Sequence, residues 1–334
     1  MMAPSERAKV GVTIGEPAGI GPEILLKSLA YPALHELAIP VVFGNADVLK
    51  ANMPVAGVTM KIRPITDPHE ARGDPGTIDL IEVGSLKPGD FTLGNGDALT
   101  GAFSGKCLEM AIGAAKAGKL RGVVMAPVSK QAQNAGGYKF AGFRETANHM
   151  AGCNDTVLIT LGKNYNLTRV TTHVPLADVP RLCNRAAVLR VIRLTDLGMK
   201  AVGLTRPRIG VSGLNPHCGE GGLLGREEIE HIIPAIADAR SEGIDALGPY
   251  PGDTVFLNMK AGDFDVIVSM YHDHGNACIK LVEFGTVYNL LAGAPFPILT
   301  VHHGTAFDIA GKGIAGEKSL LHAIYAGAGH KIPG

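Results

Sequence analysis

Three histidines stand in loops that directly follow apolar, strand-like runs. His173 lies in TTHVPL, His217 in GLNPHCGEGG and His272 in MYHDHG. In an α/β fold the C-terminal ends of parallel strands point into one crevice, where ligands bind, so these imidazoles could meet there. A His-rich set suits zinc or another divalent transition metal. The three positions predict a divalent-metal site, with zinc as the first candidate and manganese, cobalt or magnesium as the others.

A structural interpretation of the same histidines stays open. The sequence has no H-E-x-x-H or C-x-x-C signature that would fix two ligands as neighbours. A hydrogen-bonded loop histidine needs no metal. From spacing alone, each histidine could serve only to hold its own loop.

Two aspartates flank these regions and are predicted to be catalytic. Asp253 stands in GPYPGDTVF, and Asp273 directly follows His272. Either carboxylate could accept a hydroxyl proton or orient a metal ligand. On local grounds Asp253 favours a helix N-cap, because it precedes an apolar helix-like run. For Asp273 the Tyr-His-Asp-His cluster favours a chemical role.

Two glycine-containing loops are candidates for binding a nucleotide. In HHGTAFDIAGKG, Gly304 and Thr305 follow the apolar run PFPILTV and precede a helix-like stretch. Backbone amides at a helix start favour an anion, although a plain strand-to-helix turn would have the same pattern. The N-terminal IGEPAGIGPE does not fit G-x-G-x-x-G, and G-x-x-x-x-G-K-[ST] is absent. A standard Rossmann or P-loop site is therefore disfavoured.

Alternating strand-like and helix-like segments must position these residues. The early runs VGVTIG, PEILLKSLA, IPVVFGN and ADVLKANM alternate in this way, as do RIGVSGL and REEIEHIIPAIADA later. Such alternation predicts an α/β fold with mostly parallel sheets and helices on both faces. A long Ala-rich helix is predicted from Ala98 to Gly118, and a buried strand from Gly122 to Val128.

A length of 334 residues is typical of two lobes. No repeat, low-complexity segment or Ser/Pro linker marks a boundary, so the crossings are placed from the motifs, near Tyr138 and Asp308. The prediction is a first α/β lobe of residues 1–137 plus 309–334 and a second of residues 138–308. The second lobe would carry the metal ligands.

Composition excludes several classes of function. Lys plus Arg and Asp plus Glu each total 31, so no charge excess would gather nucleic acid. No apolar run reaches the roughly 18 residues of a membrane span, and no signal segment begins the chain, which predicts a cytoplasmic protein. The cysteines are odd in number, far apart and without a C-x-x-C pair, which predicts free thiols.

Seven motifs in order resemble the 4-hydroxythreonine-4-phosphate dehydrogenase family of pyridoxal phosphate synthesis. They span nearly the whole chain: GEPAGIGPE, VMAPVSK, TTHVPL, GLNPHCGEGG, GPYPGDT, MYHDHG and HHGTAFDIAGKG. The last is also similar to the adenosine-binding segment of isopropylmalate and isocitrate dehydrogenases, to which that family is structurally related. The resemblance implies a two-lobed isopropylmalate-dehydrogenase-like fold with a cleft between the lobes. It also implies that NAD is held partly by Gly304, Thr305 and Asp308.

The resemblance further implies a homodimer whose second lobe carries subunit contacts and whose active site is completed by the neighbouring subunit. His173, His217 and His272 match the histidines that hold the family's divalent metal. Lys280 and Asn289 match a lysine and an asparagine that contact the substrate. We count Lys280 among the catalytic residues as well.

Two departures from the family pattern concern the substrate. The family's GHTE loop is GFRE here, so Phe143 and Arg144 replace its histidine and threonine, and Ile298 replaces a phosphate-binding arginine. Isoleucine cannot form the charge-assisted bonds by which arginine holds phosphate. We predict that Arg144 carries the remaining anion contact, while Phe143 and Ile298 would suit a carbocyclic ring. Relatives that act on the cis-dihydrodiol of terephthalate share this loss of polar contacts.

The predicted function is NAD- and metal-dependent oxidation of a hydroxy acid, followed by decarboxylation of the β-oxo acid. The alternative within the same superfamily is a dehydrogenase of a cis-dihydrodiol dicarboxylate. Two other classes remain open: a non-catalytic metal- or nucleotide-binding regulator, and a metal-dependent hydrolase or aldolase without nicotinamide. Retention of the three histidines, Asp273 and Lys280 speaks against the regulator.

Overall fold

The computed structural model describes residues 7–283 and 285–331, which form alternating strands and helices. The strands are β1 (Ala8–Thr13), β2 (Ala38–Gly44), β3 (Lys61–Ile65), β4 (Thr77–Glu82), β5 (Gly122–Met125), β6 (Val157–Leu161), β7 (Asn166–Arg169), β8 (Ile209–Ser212), β9 (Ala246–Tyr250), β10 (Val266–Ser269), β11 (Tyr288–Ala292) and β12 (Ile298–Val301). The α-helices are α1 (Gly21–Leu29), α2 (Pro32–Leu37), α3 (Ala46–Ala56), α4 (Ala98–Lys116), α5 (Lys130–Ala135), α6 (Phe143–Ala151), α7 (Val179–Leu182), α8 (Arg185–Ala201), α9 (Ile233–Ser241), α10 (Val255–Lys260), α11 (His272–Glu283) and α12 (Lys318–Gly327). The predicted α/β class is confirmed.

The chain divides into two compact units whose boundaries differ from the predicted crossings. Unit 1 contains the residues up to Asn154 and those from Ala294 onward, and unit 2 is Asp155–Gly293. The crossings predicted near Tyr138 and Asp308 both fall inside unit 1. The physical reason is that α6 packs against α4 and that β12 pairs with β5, so both elements belong to the first unit.

Unit 1 is built on a fully parallel sheet in the order β3-β4-β2-β1-β5-β12. Val10 of β1 lies against Gly327 of α12, whereas the next residue, Gly11, faces Ala111 of α4. Neighbouring strand residues point to opposite faces of a sheet. Helices α12 and α4 therefore cover the two faces, as the sequence predicts.

Unit 2 has a mixed sheet in the order β11-β6-β7-β10-β8-β9. β7, β10, β8 and β9 are parallel, whereas β6 runs antiparallel to both β11 and β7. Gly198 of α8 lies against Ile159, and Gly275 of α11 lies against Leu167, whose strand partner is Thr160. Because Ile159 and Thr160 point to opposite faces, α8 and α11 cover opposite sides. The C-terminal ends of the four parallel strands share one edge.

The predicted long helix and buried strand are both present, as α4 and β5. Asp97 caps α4 by accepting a hydrogen bond from the Thr100 backbone N–H, and Thr100 Oγ1 accepts one from Asp97 N–H in return. Such a reciprocal pair satisfies amides that have no partner within the helix. The five cysteines carry free thiols, as predicted. Among the described residues, no helix is both long and apolar enough to cross a bilayer.

Candidate active site

The loops after β7, β8 and β10 bring the predicted histidines to the same edge of the unit 2 sheet. The ring centroids of His173 and His272 are 5.7 Å apart. Both histidines line a pocket of about 480 Å³ formed by the loop after β7 and the first residues of α11. Leu176 and Tyr271 contribute apolar surface to it. The structure thus pairs two imidazoles predicted from separate loops.

Carboxylates hold the Nδ1 atoms of two of the histidines. His272 Nδ1 donates to Asp273 Oδ1 at 2.6 Å, and His217 Nδ1 donates to Glu220 Oε1 at 2.7 Å. A hydrogen bond at Nδ1 fixes the tautomer and leaves the Nε2 lone pair for a metal. Asp273 therefore has the geometry of a residue that orients His272. Glu220 was not predicted, although its place three residues after His217 was a usable signal.

The loop that carries His217 has an unusual backbone. A run of residues has left-handed φ angles between 46° and 80°: His217, Cys218, Gly219, Glu220 and Gly221. Each non-glycine residue in this region costs about 1 kcal/mol or more, so the loop needs external support.

The buried Glu228 provides support for the His217 loop. Its Oε1 accepts hydrogen bonds at 2.7 Å from the backbone N–H groups of both Leu214 and Asn215. Glu228 begins a π-helical turn, Glu228–Ile232, that continues into α9. Single π-helical turns often occur at functional sites. The helical pattern of REEIEHII predicted the helix but could not reveal this turn.

The described part of a single chain does not assemble the full predicted metal site. Within residues 7–283 and 285–331, no three His, Cys, Asp or Glu side chains are grouped closely enough to hold an ion. His173 and His272 are paired, while His217 is two-thirds exposed and bound to Glu220. Two of the three predicted ligands are therefore brought together within one chain.

The local alternative for Asp253 does not fit the structure. Helix α10 begins at Val255, its N-cap is Thr254, and no side chain caps it. Asp253 instead lies exposed after β9, at the edge where the histidine loops lie. The N-cap interpretation is wrong because the helix starts one residue too late for Asp253 to cap it.

His274 packs beside the pocket residue Tyr271 and was not singled out from the sequence. Its ring stacks on Tyr271 with centroids 5.2 Å apart, and it closely abuts Gly252, where an added Cβ would lie 1.9 Å from Nε2. Burial lowers the pKa of His274, which keeps the ring neutral at neutral pH. The second histidine of MYHDHG was the sequence signal that could have drawn attention to His274.

The predicted substrate residues Lys280 and Asn289 belong to two neighbouring elements of unit 2. Lys280 is exposed in the last turn of α11. Asn289 of β11 accepts a hydrogen bond at Oδ1 from Thr160 Oγ1 at 3.0 Å. Thr160 and Asn289 are strand partners, so both side chains point to the face covered by α11. Lys280, on α11, and Asn289 are therefore on the same side of the sheet.

Comparison with known proteins decides the family. Residues 36–327 match the family model described as Pyridoxal phosphate biosynthetic protein PdxA. The chain belongs to the PdxA family. D-threonate 4-phosphate dehydrogenase from Cupriavidus necator is 39% identical to it over 96% of each chain. The chain is therefore an oxidoreductase that acts on CH–OH groups.

Solved structures show the same relationship. A 4-hydroxythreonine-4-phosphate dehydrogenase from Burkholderia phymatum has a TM-score of 0.87 and 38% identity, covering 97% of this chain and 98% of that chain. A terephthalate 1,2-cis-dihydrodiol dehydrogenase from Burkholderia xenovorans has a TM-score of 0.72 and 31% identity, covering 98% and 100%. The phosphate-ester dehydrogenases of the PdxA family are thus the more similar of these relatives.

The residues that depart from the PdxA family pattern lie in unit 1. Phe143, half-buried, and Arg144, exposed, begin α6, and Arg144 donates to the adjacent Glu145 from Nε at 3.2 Å and from Nη2 at 3.1 Å. Ile298 is fully buried in β12, where it is the strand partner of Val123. The placement of Ile298 does not support its predicted contact with substrate, because its side chain packs in the core.

The predicted cofactor segment of this PdxA-family chain is a loop rather than a helix start. Gly304 and Asp308 are exposed, and only a three-residue 3-10 turn, Phe307–Ile309, follows Thr305. The next helix, α12, begins at Lys318. The predicted helix is absent because the intervening AGKGIAG is rich in glycine, which propagates a helix poorly. Thr305 is therefore not followed by a helix N-terminus that could bind an anion.

The N-terminal GEPAG loop supports this segment and contains a buried acid that the sequence analysis passed over. Ile20 N–H donates to Thr305 O at 3.0 Å, which joins the two loops. Glu16 is fully buried, and its Oε1 accepts from Ala18 N–H at 3.2 Å. Burial raises the pKa of Glu16, because the charged form loses its hydration. An acid inside an otherwise apolar Gly-Pro loop was the available signal.

Proposed function

We propose that this chain is an NAD-dependent, divalent-metal-dependent dehydrogenase that oxidises a hydroxy acid, whose β-oxo product then loses carbon dioxide. The observation that carries the proposal is the His173–His272 pair, 5.7 Å between ring centroids, at the strand ends of a PdxA-family chain. The five assigned polar residues of unit 2 at this edge are His173, His217, His272, Asp253 and Asp273. A hydrolase or aldolase is disfavoured, because the relatives are dehydrogenases.

The donor set fits a divalent metal, with zinc first and manganese, cobalt or magnesium as alternatives. Neutral imidazoles with a carboxylate on Nδ1 are the usual arrangement at such sites. The bound metal would supply Lewis acidity to the substrate oxygens. His173, His217 and His272 would hold it, and Asp273 and Glu220 would orient two of them.

We infer that His217 reaches the site of the neighbouring subunit in a homodimer. The same loop and the following helical segment carry an apolar surface that includes Leu223, Leu224, Ile229 and Ile233, with exposed fractions of 83%, 46%, 38% and 47%. Exposed apolar residues this numerous are typical of a subunit contact. Burying this surface against a second copy would bring His217 to the partner's His173–His272 pair.

The remaining residues supply proton transfer and substrate binding. Asp253, which is exposed at the same edge, would accept the hydroxyl proton. Lys280 would donate to a substrate oxygen, where its positive charge stabilises the negative charge that develops as carbon dioxide leaves. Asn289 would orient the substrate through its amide. The hydride would pass to NAD, whose redox chemistry is its own contribution.

The substrate is proposed to be a phosphorylated hydroxy acid of the type named for the relatives, acted on in the cytoplasm. The test is NAD reduction, with carbon dioxide release measured in parallel, for D-threonate 4-phosphate, 4-hydroxythreonine 4-phosphate and a terephthalate-type dihydrodiol. Zinc, manganese, cobalt and magnesium are supplied in turn. Turnover of the dihydrodiol alone would instead support the alternative function, a cis-dihydrodiol dicarboxylate dehydrogenase. Absence of NAD binding and reduction would contradict the dehydrogenase proposal.

We expect NAD to be preferred over NADP. Asp308 is exposed beside Gly304 and Thr305, and its negative charge would repel the 2′-phosphate of NADP near the ribose. Steady-state kinetics with both cofactors should give a higher kcat/KM for NAD than for NADP. Asp308→Asn should reduce the ratio of these two kcat/KM values. Asp90→Asn, at another exposed 3-10 turn of unit 1, is the matched control. A preference for NADP in the unmodified enzyme would refute this assignment.

Arg144 is expected to contact the substrate anion. If it does, Arg144→Ala should lower kcat/KM by a factor that corresponds to about 2 kcal/mol of lost transition-state stabilisation, as for loss of a charge-assisted hydrogen bond. Arg144→Lys should recover part of the lost kcat/KM. Its contact with Glu145 is an exposed pair worth little by itself. Unchanged kinetics in Arg144→Ala would identify Arg144 as a surface cation only.

A further inference from the structure

Arg169, the last residue of β7, is a buried cation without a carboxylate partner among the described residues. Its side chain is only 8% exposed, and Nη2 donates to Thr160 Oγ1 at 2.7 Å and to Asn276 Oδ1. Its Nε has no partner within the described chain. Burial lowers the pKa of Arg169 to about 10, so the guanidinium stays charged at neutral pH. A buried arginine is ordinarily paired with a carboxylate, and no carboxylate within the described part of the chain accepts a hydrogen bond from Arg169.

The hydrogen bonds of Arg169 lead to the proposed substrate residue Asn289. Thr160 Oγ1 accepts from Arg169 and donates its own proton to Asn289 Oδ1 at 3.0 Å. This relay fixes the Asn289 oxygen toward Thr160, so the amide nitrogen points to the other side as a donor. The orientation of Asn289 therefore depends on Arg169 through one hydroxyl group.

A second branch reaches the helix that carries His272 and Lys280. Asn276 lies four residues after His272 and four before Lys280, so the three occupy neighbouring positions along α11. Asn276 is 5% exposed and receives the Arg169 hydrogen bond. Arg169 thus joins the end of β7, four residues before His173, to α11.

We propose that Arg169 is a positioning residue that selects an anionic substrate: it orients Asn289 through Thr160, and its uncompensated positive charge favours a phosphate or carboxylate group beside that amide. The assignment of Asn289 rests on the proposed function. Positive charge in a desolvated site acts on a nearby anion far more strongly than it does in water.

The first test is kinetic, on the metal-loaded enzyme with NAD and whichever anionic substrate it turns over. Arg169→Met should raise the substrate KM at least about tenfold with kcat changed less than about threefold, because the lost contact serves binding more than chemistry. The KM for NAD should not change. Arg169→Lys keeps the charge and should recover part of the loss. Arg121→Met is the matched control, because burial also lowers the pKa of that unit 1 arginine, and it should leave the substrate KM unchanged.

Thr160→Val separates the relay from the charge and covers the case in which Arg169→Met fails to fold. It removes the hydroxyl between Arg169 and Asn289 while keeping both residues, and should raise KM about threefold, as for a single neutral hydrogen bond. A role in stability alone would change the melting temperature of these variants without changing KM. Unchanged KM in Thr160→Val together with Arg169→Met, or with Arg169→Lys if the methionine variant does not fold, would overturn the proposal.

The second test measures anion binding without turnover. Calorimetry with inorganic phosphate and with malonate should show that the unmodified protein binds at least one of them and that Arg169→Met binds it at least about tenfold more weakly. The anion that loses affinity identifies the phosphate or carboxylate source. Equal anion binding by both proteins, or no anion binding by either, would contradict the proposed role of Arg169 in anion binding. Because this readout needs neither NAD nor a substrate, it still decides the role of Arg169 if the dehydrogenase proposal fails.

Discussion

His272→Ala is expected to lose the bound metal and nearly all activity. The imidazole pairs with His173 at 5.7 Å between centroids and is oriented by Asp273, so the substitution removes one of the two paired candidate ligands. Loss of Lewis-acid stabilisation is worth several kcal/mol, on the order of a thousandfold in kcat/KM. Metal content by mass spectrometry and turnover with saturating NAD should fall together. His173→Ala and His217→Ala should behave in the same way.

Two further variants test whether the loss of metal and activity in His272→Ala is specific to the proposed metal site. Asp273→Asn keeps the imidazole but removes the charge that orients it, and should weaken metal binding by about 10–100-fold. His69→Ala, at an exposed histidine of unit 1, should retain the metal and full activity. Full metal content and turnover in all three histidine variants would show that the metal site is elsewhere.

Mixing His217→Ala with His272→Ala is expected to restore activity that neither variant has alone. If His217 acts across the subunit contact, each mixed dimer has one site with both substitutions and one site with none. After random exchange of equal amounts, half of the dimers are mixed, so about a quarter of the unmodified activity should return. Different affinity tags on the two variants would allow the mixed dimers to be isolated and assayed.

The pairing of His173 with His272 provides the control for this experiment. Both rings lie in one chain, so mixing His173→Ala with His272→Ala should leave every site defective. Recovery in this control, no recovery in isolated His217/His272 mixed dimers, or a fully active monomer in sedimentation would contradict the shared site. Replacing the exposed Leu223 by Asp should independently shift the protein toward monomers.

The sequence could predict the strand ends because they depend on local patterns. Apolar runs followed by polar loops located β7, β8 and β10, and parallel strands then require His173, His217 and His272 to lie at one edge. The family motifs contributed Lys280 and Asn289. These features follow from hydrophobic periodicity and chain direction, which a single sequence records.

The sequence could not predict features that depend on distant contacts. The Arg169 network joins residues from β6, β7, α11 and β11, whose side chains meet only after the sheet has formed. The unit boundaries depend on which sheet accepts β12, and the burial of Ile298 follows from that choice. The N-cap expected of Asp253 failed by a single residue, because a cap depends on where the helix begins.

One loop carries both the proposed metal ligand His217 and the exposed Leu223 and Leu224. If this loop both binds the metal and contacts the partner subunit in the dimer, metal binding and subunit association are linked equilibria. Each must then strengthen the other by the same factor. Metal affinity would then rise with protein concentration, and chelators would dissociate the dimer. Dilution by itself would remove the metal, so at low concentration the enzyme would inactivate without any unfolding.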